Sequence, residues 1–140
     1  LGYMCGNSLS RSLGPRLGLD HAAFVGSVFS VGTISVLLVL VLAGLATKPA
    51  ISALLFCYGV ANGLIVANSL VGAIRAAGPH SGAATGLCGA LQMACSAGLG
   101  SLVIWLGGDA DFPLAVGICW VMTAVGLMCG FAVIRRCADD

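Results

Sequence analysis

Residues 76–92 of the chain read AAGPHSGAATGLCGALQ. After a short polar turn, an uncharged stretch carries small residues at helical spacing, and we call these the small-residue row: Gly82, Gly86, Ala90, Ala94 and Gly98. In water such a helix is weak, because each glycine costs about 1 kcal/mol relative to alanine. In a bilayer a helix satisfies its own backbone hydrogen bonds, and rows of small residues become packing surfaces. The stretch therefore predicts a membrane helix that packs closely through this row.

The composition of the whole chain also indicates a lipid environment. Of the 140 residues, 59% are hydrophobic and 8% are charged, whereas ordinary soluble domains carry about 25% charged residues. The mean hydropathy is +1.08. Lipid must cover surface for which this chain has no polar groups, so we expect an all-α integral membrane protein whose partner is the lipid bilayer. The six Lys and Arg are scattered and make no basic patch, which argues against a nucleic-acid partner.

Outward from the quoted stretch, turns divide the apolar sequence into four spans. The predicted spans are about 22–46, 51–74, 82–106 and 113–134. At 1.5 Å per residue each is about long enough to cross a hydrocarbon core of roughly 30 Å.

The beginning of the chain is interpreted differently. Residues 1–6 are apolar but too few to span, so we interpret residues 1–9 as the tail of a cut helix. Residues 7–21 are polar and interrupted by Gly14 and Pro15, which predicts a tight loop. On this interpretation the chain is the C-terminal portion of a larger protein.

The basic residues predict an orientation. Five arginines fall on one side of the predicted topology, and Lys48 falls on the other side beside an acidic turn that contains Asp109 and Asp111. The arginines are Arg11, Arg16, Arg75, Arg135 and Arg136. The positive-inside rule places their side, and with it the C-terminus, in the cytoplasm of a multi-pass protein of the cell (inner) membrane.

Groups for catalysis or coupling are scarce. The four predicted spans contain no Asp, Glu, Lys, Arg or His, so this chain offers no intramembrane protonation site. His21 and His80 lie in predicted loops without a recognisable partner, and none of the seven cysteines forms a CxxC pair. We expect no enzyme activity, no cofactor and no metal site.

Neutral polar residues mark one face of the second span. Tyr58, Asn62 and Ser69 fall within about 40° of one another at 100° per residue. Gly59 and Gly63, with Ala67, occupy a separate, smooth face. This pattern predicts a helix that lines a cavity on one side and packs on a neighbour on the other.

A similar cluster in the third span contains Thr85, Gln92 and Ser96 together with Gly89. The alternative for Asn62 and Gln92 is that they form only interhelical hydrogen bonds, which are typically worth about 1 kcal/mol or less in membranes. The first and last spans carry little beyond Ser and Thr, so we expect them to face lipid.

Residues 79–92 resemble the segment between helices ten and eleven of the Bcr/CflA drug:proton antiporters, a branch of the major facilitator superfamily. The positions that match the family pattern are Gly82, Ala84, Leu87, Gly89 and Gln92. Asn68 looks like the asparagine that family members carry late in helix ten. Residues 6–18, with Arg11, Pro15, Arg16 and Gly18, look like a degenerate copy of the superfamily's cytoplasmic loop motif, in which Ser10 replaces an aspartate.

The resemblance implies that the chain covers the end of helix eight through helix twelve of a major facilitator superfamily fold. It implies a substrate cavity lined by Tyr58, Asn62, Ser69 and Gln92, with helices nine and twelve at the periphery. It also implies partners outside this piece: the missing N-terminal half with its proton-carrying acids, protons, and a small amphipathic or drug-like substrate. The predicted function is multidrug efflux by proton antiport with alternating access, and the alternative is a non-transporting tetraspan scaffold or complex subunit.

Overall fold

The protein is all-helical in the computed structural model, which describes residues 1–106 and 111–139. Its helices are α1 (Gly2–Leu17), α2 (Leu19–Leu42), α3 (Lys48–Ala77), α4 (Ser81–Trp105) and α5 (Phe112–Asp139), and a 3₁₀ turn at Gly78–His80 joins α3 to α4. The predicted helical class is confirmed. Asp109 of the predicted acidic turn and the side chains of Arg16 and Arg136 lie outside the described residues.

Three segments are long and apolar enough to cross a membrane: Leu19–Leu42, Lys48–Trp105 and Phe112–Ala132. Their mean hydropathies are 2.4, 1.9 and 2.1, yet only 28%, 17% and 6% of their apolar windows are buried within the chain. Lipid or further protein must cover the remaining apolar surface. The second segment, of 58 residues, contains both α3 and α4, so it holds two of the four predicted spans.

Glycines with positive φ follow the ends of α1, α2 and α3, and those after α2 and α3 are Gly44 and Gly78. Gly44 has φ 67, and α2 therefore ends at Leu42, before the end of the predicted span at 46. Gly78 has φ 51 and ψ −117 after the last residue of α3. L-residues with a Cβ rarely adopt these conformations, so glycine allows the chain to leave the helix at both places.

The predicted loop over residues 7–21 is wrong, because α1 continues to Leu17 and the cut-helix tail does not stop at 9. Pro15 removes only the hydrogen bond to the Arg11 carbonyl and lies in the last turn, where that loss is tolerated. The break comes at Gly18, whose φ is 82 and whose N–H donates to the Gly14 carbonyl at 3.1 Å. Arg11 and Arg16, expected in a cytoplasmic loop, therefore belong to a helix.

Close backbone packing joins α1 to α3. A Cβ on Gly6 would overlap the Val60 carbonyl, and a Cβ on Gly63 would overlap the Tyr3 carbonyl. A Cβ on Gly59 would lie 3.5 Å from the Cα of Gly2. The prediction that Gly59 and Gly63 form a packing face of α3 is confirmed, and its partner is the N-terminal half of α1.

The expectation that α2 is peripheral needs correction, because α2 lies between α3 and α5 and packs against both. The core is formed by Ile34, Leu37 and Val116, with Tyr58 partly buried beside them. The small residues Ala22, Gly26, Ser30 and Thr33 are buried on α2 and allow α3 to approach closely. Only the opposite face of α2, which includes Val25, Phe29 and Val39, is exposed as expected.

The small-residue row lies on the most exposed helix of the protein. None of the residues of α4 is buried, and α4 packs chiefly on α3 and the adjoining 3₁₀ turn. Built at Gly82, Gly86 or Gly98, a Cβ would meet no atom within 4 Å. Within the described chain no helix packs on the row, so its predicted packing role requires a surface outside this chain.

The arginines whose side chains are described lie at one end of the helices. Arg11 and Arg75 line the same cavity, which Leu19 at the start of α2 also lines. The Arg135 guanidinium lies 5.2 Å from the centre of the Phe131 ring, and that ring is 6.3 Å from the ring of Phe24, early in α2. Lys48 begins α3 at the opposite end. His80 is exposed in the 3₁₀ turn at the arginine end.

Candidate functional site

A small polar cavity lies where α2, α3 and α5 meet, and we call it the central cavity. It has a volume of about 220 Å³. Its lining comprises Ser27, Ser30, Tyr58, Asn62, Ile65, Met122, Thr123 and Gly126. Tyr58 and Asn62 were predicted to line a cavity, and the structure places both here. The hydroxyl residues Ser27, Ser30 and Thr123 complete it.

The polar residues of the central cavity lie at mid-helix. Ser30 is at the middle of Leu19–Leu42, Asn62 at the middle of Lys48–Ala77, and Thr123 near the middle of Phe112–Ala132. A helix that crosses a bilayer has its middle residues at the centre of the hydrocarbon core. The cavity therefore gathers neutral hydrogen-bonding groups at the depth where they are most costly to expose to lipid.

One hydrogen bond crosses the central cavity. The Tyr58 Oη and Thr123 Oγ1 atoms are 3.3 Å apart, and the Thr123 hydroxyl also donates to the Cys119 carbonyl at 2.7 Å. Because a threonine hydroxyl has one hydrogen, Tyr58 must be the donor and Thr123 the acceptor. The tyrosine hydroxyl thereby contacts α5.

Asn62 and Ser30 differ in what they offer a ligand. Ser30 is 2% exposed and packs between helices. The Asn62 side chain is exposed and, among the described residues, takes part in none of the side-chain hydrogen bonds. Its amide therefore presents an unused donor and an unused acceptor to the cavity.

A second cavity, between α3 and α4, contains the other two predicted residues. It has a volume of about 320 Å³. Ser69 and Gln92 line it together with Ile65, Val66, Leu70, Thr85, Cys88 and Gly89. The Thr85 hydroxyl donates to the Ser81 carbonyl at 2.8 Å within its own helix, so Ser69 and Gln92 are the free polar groups. We call this the lateral cavity.

The sequence placed the four polar residues on one cavity, whereas the structure divides them between two. Asn62 and Ser69 share a face of α3, but seven residues of helix separate them by about 10 Å along its axis. Near Asn62 that face meets α2 and α5, and near Ser69 it meets α4. Ile65 lines both cavities and stands between them.

Ser27, Ser30 and Thr123 were missed because serine and threonine on apolar helices were interpreted as lipid-facing. Ser27 donates to the Ala23 carbonyl at 3.0 Å, so its hydrogen is satisfied within α2 while its oxygen remains an acceptor. The i, i+3 spacing of Ser27 and Ser30 was the available signal, since it puts both on one helix face.

Asn68 is a structural residue of α3. It is 2% exposed, and its Nδ2 donates to the Leu64 carbonyl at 2.7 Å. It lines neither the central nor the lateral cavity.

The chemistry available at both cavities is neutral hydrogen bonding next to apolar surface. Neither lining contains Asp, Glu, Lys, Arg or His. Among the described residues no group of His, Cys, Asp or Glu could hold a metal ion. The cavities can bind and orient an amphipathic molecule through neutral hydrogen bonds and apolar contacts.

No protein-family model, curated protein or solved structure matches this chain.

Proposed function

We propose that this chain is the C-terminal, cavity-lining part of a secondary active transporter with a major facilitator superfamily fold, which exports small amphipathic molecules by proton antiport. The observation that carries the proposal is the meeting of Ser30, Asn62 and Thr123 at mid-helix around the central cavity. Transporters with alternating access bind substrate near the bilayer midplane, between helix bundles that rock about the site.

The exposure of α4 supports the presence of a further wall to the cavities. Gln92 lies near the middle of Ser81–Trp105 and is exposed. An amide that faces hydrocarbon loses its hydrogen bonds to water, so Gln92 is expected to face a water-filled cavity or other protein. In the proposal, the other half of the transporter supplies that wall.

The coupling group belongs to the same missing half. Residues 22–46, 51–74, 82–106 and 113–134 contain no Asp, Glu, Lys, Arg or His. Proton coupling in a membrane requires an ionisable group with access to the transport path. By itself this chain is therefore expected to show no proton-coupled transport.

The orientation follows from the arginine end. Arg11, Arg75 and Arg135 lie at one end of the helices and Lys48 lies at the other. The positive-inside rule places the arginine end, and with it the C-terminus, in the cytoplasm of a cell (inner) membrane. The four-span topology follows, since 58 residues of helix would extend about 87 Å and Gly78 divides them into two crossings.

Proton release from acid-loaded everted vesicles tests the proposal in the gene product that contains this chain. Addition of a lipophilic cationic dye is expected to release protons, and Asn62→Leu or Gln92→Leu is expected to reduce the initial rate severalfold. Cys129→Leu is the control, because Cys129 is exposed on α5 and lines neither cavity. If no dye induces proton release, the proposal is contradicted. If both cavity variants release protons at the unchanged rate, Asn62 and Gln92 are not part of the substrate site.

A scaffold or complex subunit is the second candidate, and the exposed small-residue row on α4 favours it. Such a row packs against another membrane helix in assemblies that do no transport. A scaffold requires the row and not the cavities. It would therefore retain its assembly in Asn62→Leu and lose it in Gly86→Leu, whereas a transporter would lose dye-driven proton release in both.

A further inference from the structure

A third and larger cavity lies between α1 and α3 at the arginine end, and we call it the arginine cavity. Its volume of about 780 Å³ falls within the roughly 300–1,000 Å³ typical of ligand pockets. It shares no lining residue with the central cavity and shares Val66 and Leu70 with the lateral cavity. Its two arginines line neither of those cavities, so a neutral substrate path does not account for them.

Two cations from different helices face this cavity. Arg11 comes from α1 and Arg75 from the last turn of α3, and none of the described residues that line the cavity carries a carboxylate. Two guanidinium groups beside one cavity attract an anion, and arginine binds phosphate through paired N–H donors.

A buried acceptor atom lines the same cavity as the two arginines. Among the described residues, the Asn7 Oδ1 atom is buried and has no hydrogen-bond partner. An unpaired buried acceptor is costly, so a ligand that carries a hydroxyl donor as well as an anionic group would satisfy it.

The lining also contains the hydroxyl residues Tyr3 and Ser10, and its apolar part includes Val66, Leu70 and Val71. Both arginines are exposed, as expected of long cationic side chains near helix ends at a membrane interface. The cavity thus combines two arginines at its rim, the unpaired Asn7 Oδ1 acceptor and an apolar wall. An inorganic anion would use only the first of these.

We propose that the arginine cavity binds the headgroup of an anionic phospholipid, with its phosphate between Arg11 and Arg75 and a headgroup hydroxyl donating to Asn7. Phosphatidylglycerol has both groups. Basic pockets between membrane helices on the cytoplasmic side are known to bind anionic headgroups. The proposal depends on the membrane setting of the chain and not on transport.

The test measures the thermal unfolding of the detergent-purified protein by its Trp105 and Trp120 fluorescence during titration with dioctanoyl phosphatidylglycerol. We expect a saturable rise in Tm that dioctanoyl phosphatidylcholine does not produce. Arg11→Gln and Arg75→Gln should each weaken the apparent affinity about tenfold, the effect of about 1.4 kcal/mol from one charge-assisted contact. Lys48→Gln removes the same charge at the other end of α3 and should change the affinity less than about twofold.

Three results would overturn the proposal. Phosphatidylcholine could stabilise the protein equally, inorganic phosphate at the same concentration could reproduce the shift, or Lys48→Gln could weaken binding as much as the arginine variants. If the arginine variants do not fold, the salt dependence decides. Binding that weakens between low and high NaCl supports two cationic contacts, whereas binding that salt leaves unchanged contradicts them.

Discussion

Tyr58 joins α3 to α5 through a hydrogen bond whose direction its neighbours determine. The Thr123 hydrogen is used within α5, on the Cys119 carbonyl, so Tyr58 donates across the cavity. At 3.3 Å this bond is long for two hydroxyls, which prefer about 2.7–2.8 Å. The side chain is thus positioned chiefly by packing against the core beside Leu37, and the hydrogen bond adds little stability.

We therefore expect Tyr58→Phe and Thr123→Val each to lower the free energy of unfolding in detergent by about 1 kcal/mol or less, with a coupling between them of about 0.6 kcal/mol. The measurement is a double-mutant cycle in which unfolding is followed by SDS titration. Thr85→Val is the matched control, because the Thr85 hydroxyl bonds only within its own helix. A coupling above about 2 kcal/mol would mean that the bond itself holds α3 to α5.

At the scale of helices, the strongest constraint is the contact of α1 with α3. It consists of glycines on both helices, so the two backbones touch directly. The space for a side chain at Gly6 is occupied by the Val60 carbonyl, which is part of a helix and cannot rotate away. Only separation of the two helices would admit a methyl group there.

Gly6→Ala is accordingly expected to destabilise the protein by about 1–3 kcal/mol, as overpacking does. Gly86→Ala, the same change on α4 with no atom near its Cβ, should be neutral or stabilising by up to about 1 kcal/mol. Both values come from unfolding of the purified protein in detergent. Equal effects of the two substitutions would show that α1 and α3 are not in backbone contact.

The whole molecule has two chemically different ends, which makes its orientation measurable. In a cysteine-free background, we expect Lys48→Cys to react with a membrane-impermeant maleimide added to intact spheroplasts. Arg135→Cys should react only in everted vesicles, because the positive-inside rule puts the arginine end in the cytoplasm. Labelling of both positions from the same side would contradict the parallel arrangement of α3 and α5, and the reverse labelling would invert the orientation.

Hydropathy alone located α2 to α5 to within a few residues, because a bilayer demands long runs of apolar sequence. The smooth face of α3 at Gly59 and Gly63 was also predictable, since helical periodicity assigns residues to faces without knowledge of the fold. The continuation of α1 through Pro15 was not predictable. Its polar residues Asn7, Ser10 and Arg11 suit a loop until α3 is seen to pack against them and to share a cavity with them.

The sequence by itself thus determined the helical class, the helices that are long and apolar enough to cross a membrane, and the face on which each polar residue of α3 lies. Only the tertiary structure decided that α2 is central, that Asn62 and Ser69 belong to separate cavities, and that Asn7, Arg11 and Arg75 converge. The physical reason is that hydropathy and periodicity are properties of one helix, whereas a cavity requires residues from several helices at the same depth. In a membrane every helix is apolar, so hydropathy does not identify its neighbours, and packing geometry decides which helices meet.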